Sequence, residues 1–160
     1  MIGNALDIVT YLMGQDKTVL WDLNLHKEKK SSSQNKMYWE LVGEIARLLH
    51  VSNNYVHNKL LRECAPICTV AGQPVRIPLP DTEDAENQTM ESMYYHVKPT
   101  SQVIVGKDGI TYRTYVLLKG SSEMNTKEMS MLIDRCIEYA KQMGIETDEL
   151  AYIKDIADKQ

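Results

Sequence analysis

Gln102-Val103-Ile104-Val105-Gly106-Lys107-Asp108-Gly109-Ile110-Thr111-Tyr112-Arg113-Thr114-Tyr115-Val116-Leu117-Leu118 decides the fold class. Runs rich in Val, Ile, Thr and Tyr lie on both sides of a glycine-bounded turn, and β-branched and aromatic residues in that arrangement predict an antiparallel hairpin. Residues 94–98, just upstream, have the same strand-like composition. Near the start of the chain, residues 17–25 alternate: Val19, Trp21, Leu23 and Leu25 fall on one side, with Thr18, Asp22 and Asn24 on the other. Period two of this kind predicts a half-buried strand. A small antiparallel sheet is therefore expected from residues 17–25 and 93–118.

Helices are expected to cover that sheet. Residues 36–50 place Tyr38, Leu41, Val42, Ile45 and Leu49 on one stripe, widened by Trp39, Gly43 and Ala46, so this helix packs on two sides. Residues 126–143 follow Asn125, which forms a capping pair with Glu128, and hold Met129, Leu132, Ile133, Cys136, Ile137 and Ala140 on one face until Gly144. Shorter helices are predicted from Ala5, Ile8, Val9 and Leu12 before Gly14, over residues 54–62, and over 147–158. Residues 68–80 hold three prolines and suit an edge or irregular extended segment. The acidic run Asp81, Glu83, Asp84, Glu86 and Glu91 reads as a flexible, solvated loop over about 81–92, an inert insertion by default. The fold class is α+β, a small antiparallel sheet packed with helices, and the 160 residues form a single domain.

Composition narrows the function classes. Hydrophobic residues at 43% and charged residues at 25% are ordinary for a globular domain. No apolar run is long enough to span a bilayer, and the first residues lack the basic start and cleavage site of a secretory signal. Three cysteines are too few for a disulfide framework and fit a reducing compartment, so a cytoplasmic protein with no membrane association is expected. The net charge of −4 conceals an asymmetry: residues 1–80 carry nine Lys/Arg against seven Asp/Glu, a net of +2, while residues 81–160 carry nine against fifteen, a net of −6.

Chemistry of the enzymatic kind is thinly represented. The eight glycines form neither a phosphate cradle nor a dinucleotide fingerprint, and no nucleophile elbow occurs. His57, Cys64 and Cys68 have spacings of seven and four but lack a fourth ligand and a paired short spacing, so no metal site is expected. His50 and His57 flank Asn53 and Asn54, yet a His-Asn-His nuclease needs a ββα metal hairpin where this segment reads as helix. No catalytic residue, metal or cofactor is assigned, and the protein is read as a non-enzyme. The better signal is basic. Lys27, Lys29 and Lys30 precede a helix start at Lys36, where Gln34 and Asn35 offer amides and free backbone N–H groups favour phosphate. A solvated lysine loop with no ligand accounts for the same charges.

Ser31-Ser32-Ser33-Gln34-Asn35-Lys36-Met37-Tyr38-Trp39, followed by Leu41, Gly43 and Ile45, resembles the S-x-x-Q-N-(R/K)-x-x-W…G signature of the NinB family of phage recombination proteins. Downstream, Ser121, Ser122, Met124, Glu128, Met129, Leu132 and Ile133, then Gly144-Ile145 and Asp148-Glu149, are similar to that family's closing helix. The resemblance touches about half the chain. It implies a homodimeric recombination mediator in the bacterial host cytoplasm that binds single-stranded DNA without sequence preference, interacts with the host single-strand-binding protein and assists recombinase loading. DNA contacts would then fall to Lys27, Lys29, Lys30, Gln34, Asn35, Lys36 and Arg47. Two departures stand against it: the leading strand expected ahead of the first helix is missing, and the acidic run has no counterpart.

A second DNA reading is open. Residues 44–60 resemble a helix-turn-helix, with Ala46 at the close contact, Val51 and Val56 in the core, and His50 at the turn position that usually holds Gly. Ser52 would cap a recognition helix presenting Asn53, Asn54, His57 and Lys59 to base edges of a specific duplex site. Trp39, beside the basic helix start, could stack on a base but is expected to close the core near Leu20 and Ala46.

Overall fold

A computed structural model of the protein describes residues 4–16, 18–21 and 32–147. Helix α1 runs Ala5–Met13 behind an Asn4 capping box with Asp7 and stops at Gly14, as its apolar spacing predicts, but none of its residues is buried. Residues 18–21 are turn and bend rather than the expected strand; the hydroxyl and backbone N–H of Thr18 both bond the Asp16 carboxylate, a local turn that competes with extended backbone. The remainder of that segment, 17 and 22–25, lies outside the described residues. So does the expected terminal helix beyond Thr147.

Helix α2, Ser32–Leu49, begins before the expected position, which places Gln34 and Asn35 inside the helix rather than ahead of it. It packs against α3, Asn53–Cys64, and α5, Thr126–Gln142. Between these three helices lies the main core, in which Tyr38, Leu41, Ile45, Leu60, Met129 and Leu132 are fully buried. The predicted stripes face one another across a common interior, except that Leu49, at the end of α2, is exposed. The Asn125–Glu128 capping box is present, and α5 ends in a paired-bond turn: Gly144, at φ 77°, donates to Lys141 O, and Ile145 donates to Ala140 O. The same two bonds end α2, from His50 to Arg47 O and Val51 to Ala46 O, but the left-handed position holds His50 at φ 55°.

Residues 68–80 are extended, as the prolines suggest. Strands β1 (Thr69–Val70) and β2 (Gln73–Pro74) pair across Ala71 and Gly72, both at positive φ, the geometry of a tight primed turn. β3 (Arg76–Pro80) is then an edge of the three-stranded antiparallel sheet β3-β5-β4, with β4 at His96–Val105 and β5 at Thr111–Leu118. The hairpin over Gly106–Gly109 forms as expected; its ladder slips between Pro99 and Val103, where a bulge interrupts it. The architecture is α+β with a small antiparallel sheet, but the helix that packs most against the sheet is α3, through β4, rather than the expected helices near 36–50 and 126–143, which pack on each other and on α3.

The acidic run is corrected. Residues 81–92 are not a loop: Glu83–Glu91 is helix α4, capped by the Thr82 side chain accepting from Ala85 N. Glu83, Asp84 and Glu86 in its first turn suit the positive end of the helix dipole. Ala85, Glu86, Thr89 and Met90 turn inward at i, i+1, i+4 and i+5, a face that is half polar and so carries no apolar periodicity. No helix among the described residues is long and apolar enough to cross a membrane.

Candidate nucleic-acid interface

The basic segment is only partly described. Lys27, Lys29 and Lys30 lie outside the described residues. Lys36 is well exposed on α2, 3.9 Å from Glu40 in a solvated i,i+4 pair that contributes little. Asn35 is half-buried, and Gln34 is fully buried with its polar group engaged. Within α2, position 34 falls on the buried face, and Gln34 is withdrawn as a DNA contact. Arg47, in the last turn of α2, is exposed. Arg62, Arg113 and Arg135 are held in ion pairs and Arg76 bonds Gln102, which leaves Arg47 the arginine among the described residues with no recorded polar partner.

The α2–α3 corner has the turn that a helix-turn-helix needs. Ser52 caps α3 by accepting from Tyr55 N at 2.9 Å, Ala46 and Val56 are buried and Val51 packs on the core. The expected reading face is another matter, because α4 and β4 pack over α3. His57 is buried, with Nδ1 2.7 Å from the Tyr38 hydroxyl. Asn54 donates to Glu91 O, and Lys59 sits over the Tyr139 ring; of the four residues only Asn53 is fully exposed. His57 is therefore withdrawn as a base reader.

A polar relay takes its place. Asn58 donates through Nδ2 to Asn54 O, Met90 O and Ser92 O, so its Oδ1 is the acceptor facing His96 Nδ1 at 2.6 Å, and the proton of that imidazole resides on Nδ1. Burial lowers the pKa of His96, which favours this neutral form. The His96 ring stands edge-on to His57 at 5.0 Å, and Trp39 covers the other side of His57 at 4.8 Å. Trp39 is thus largely structural, as expected, although Leu20 is almost wholly exposed and does not bury it. Among the described residues no three His, Cys, Asp or Glu side chains come together as a metal site. Burial pushes the Cys136 thiol up to about 12, the state of an inert core cysteine.

One carboxylate of the acidic helix, Glu86, is similarly committed. Arg62, on α3, donates to Glu86, to Thr89 Oγ1 at 2.8 Å and to Val97 O at 2.9 Å, and the Tyr115 hydroxyl donates to Glu86 at 2.6 Å. Burial raises the Glu86 carboxyl, but the hydrogen bonds from Arg62 and Tyr115 outweigh it and hold it below its ordinary value. Burial, with Glu86 beside it, pushes Tyr115 up to about 12. Next to this node lies a groove of about 420 Å³ whose lining includes the two-pronged Arg113–Asp81 pair.

Tyr94 and Tyr95, expected as the start of a strand, lie with Ser92 and Met93 ahead of β4, which begins at His96. They form a loop exposing Met93, Tyr94 and Tyr95, whose composition is indistinguishable from that of the strand after it. No family model matches the chain, and no curated protein or solved structure matches it either.

Proposed function

We propose that the protein is a non-enzymatic recombination mediator of the phage type: a homodimer that binds single-stranded DNA without sequence preference in the bacterial host cytoplasm, beside the host single-strand-binding protein, and assists recombinase loading. One observation carries this reading, namely four lysines at 27, 29, 30 and 36 on a chain that is otherwise acidic. Lys36 and Arg47 are both exposed on α2, and Asp81, Glu86 and Glu128 are bound to cations of their own. A flexible strand meeting such a surface releases counterions, which gives affinity that is steep in salt and indifferent to sequence.

The test is the salt dependence of oligonucleotide binding. Each phosphate contact contributes about 0.7 to the log–log slope for a single strand, so replacing Lys27, Lys29 and Lys30 with Ala lowers it by about 2. An unchanged slope in the triple variant refutes the assignment. The turn at His50 and Ser52 favours a duplex-reading regulator as the second reading. Recovery of one recurring palindrome from a random duplex library, preferred by about 10³-fold or more, would establish that reading instead.

A further inference from the structure

We infer that Tyr94 is a base-stacking platform on the single-strand path, with Arg47, in the last turn of α2, as a phosphate contact on that path; this rests on the DNA-binding reading above and names a site for it on the folded part of the chain. Tyr94 is 93% exposed and Met93 67%, so this loop presents aromatic and apolar surface that the fold leaves uncovered. Single exposed apolar residues are ordinary, but this loop is held in place. Both Tyr94 N and Tyr95 N donate to Ser92 Oγ, at 3.4 and 3.2 Å, and Asn58 fixes Ser92 O at 2.9 Å. The ring therefore projects from an anchored turn, which lowers the ordering cost of a contact.

That turn belongs to the same corner as Arg47. The Ser52 hydroxyl donates to the Glu91 carboxylate and Asn54 donates to Glu91 O, tying the end of α4 to the α2–α3 turn, one residue before Ser92. Arg47 occupies the last turn of α2 on the other side of that turn. A guanidinium without a carboxylate partner, an anchored exposed aromatic ring and an adjacent half-exposed Tyr95 match the two halves of a nucleotide, anionic phosphate and flat base. The Glu91 carboxylate, at the end of α4, accepts from the Ser52 hydroxyl. Stacking is indifferent to base identity, in keeping with binding that has no sequence preference.

The experiment compares labelled oligothymidine with an abasic strand of the same length by fluorescence anisotropy, for the full chain and for Tyr94→Ala, Tyr94→Phe and Arg47→Ala. Tyr94→Ala should weaken oligothymidine binding by about 5- to 150-fold, the effect of one lost stacked base. It should leave abasic binding and the thermal midpoint unchanged, and Phe should restore the loss. Arg47→Ala should weaken both strands and lower the salt slope by about 0.7. Parent-like oligothymidine affinity in Tyr94→Ala, or an equal loss on the abasic strand, overturns the platform while leaving DNA binding intact. A change of oligomeric state in Tyr94→Ala with unchanged DNA affinity overturns it in favour of a contact between copies. Failure of the unsubstituted protein to bind any single strand overturns the underlying reading as well, and that arm is read without any variant.

Discussion

Arg62→Met tests whether the acidic segment is a structural helix held from α3. The arginine side chain is 15% exposed and bonds three groups on two other elements, Glu86 and Thr89 on α4 and the Val97 carbonyl on β4. Methionine keeps most of the apolar stem and removes every donor. Val97 O then loses its recorded side-chain donor, which costs about 1–3 kcal/mol for a buried group. Thr89 Oγ1 still donates to Glu86 O at 2.7 Å and loses less. Glu86 is 37% exposed, so water replaces part of the guanidinium and the charged pair is discounted to about 1 kcal/mol. The expected loss is about 2–4 kcal/mol, measured by urea unfolding at pH 7. Acidity supplies the internal check. A carboxyl held below its ordinary value contributes stability that is fully present above its unfolded pKa of about 4.3 and is lost as pH falls through the folded value. The gap between parent and Arg62→Met should therefore narrow on acidification below that range. A double-mutant cycle with Glu86→Gln should show coupling of about 1 kcal/mol. A loss under 0.5 kcal/mol at pH 7, or zero coupling with a pH-independent gap, would refute the reasoning.

His50 occupies the left-handed closing position of α2, where a residue with a Cβ is disfavoured, so His50→Gly should stabilise the protein by about 1 kcal/mol in denaturant unfolding without altering DNA affinity. Trp39→Ala should cost about 3 kcal/mol, because the ring packs on Tyr38 and His57 at the core margin, and should change single-strand affinity by less than about threefold at a temperature where the variant is folded. A stable Trp39→Ala protein with selectively poor DNA binding would transfer the stacking role from Tyr94 to Trp39.

For α2, α5 and the hairpin the place in the fold was legible from the residues, whereas the apolar spacing of α1 gave the helix but no burial. The stripes of α2 and α5, the Asn125–Glu128 cap and the hairpin over Gly106–Gly109 all follow from periodicity, capping chemistry and turn residues, which act over a few positions. Even the unusual backbone at His50 was marked by the helix-turn-helix pattern around it. The acidic helix α4 was not legible, because its inward face is Ala85, Glu86, Thr89 and Met90, and Arg62 and Tyr115, distant in sequence, are what make a half-buried glutamate tolerable there. The candidate site divides along the same line. Charge composition identified the lysines and Arg47, since net charge is additive along a chain. Tertiary packing decided that Gln34 and His57 turn inward, that Arg47 is left without a carboxylate and that Tyr94 stands clear of the fold. Exposure and pairing depend on what packs over a residue, and for His57 that is β4, which brings in His96 from 39 positions away in the chain.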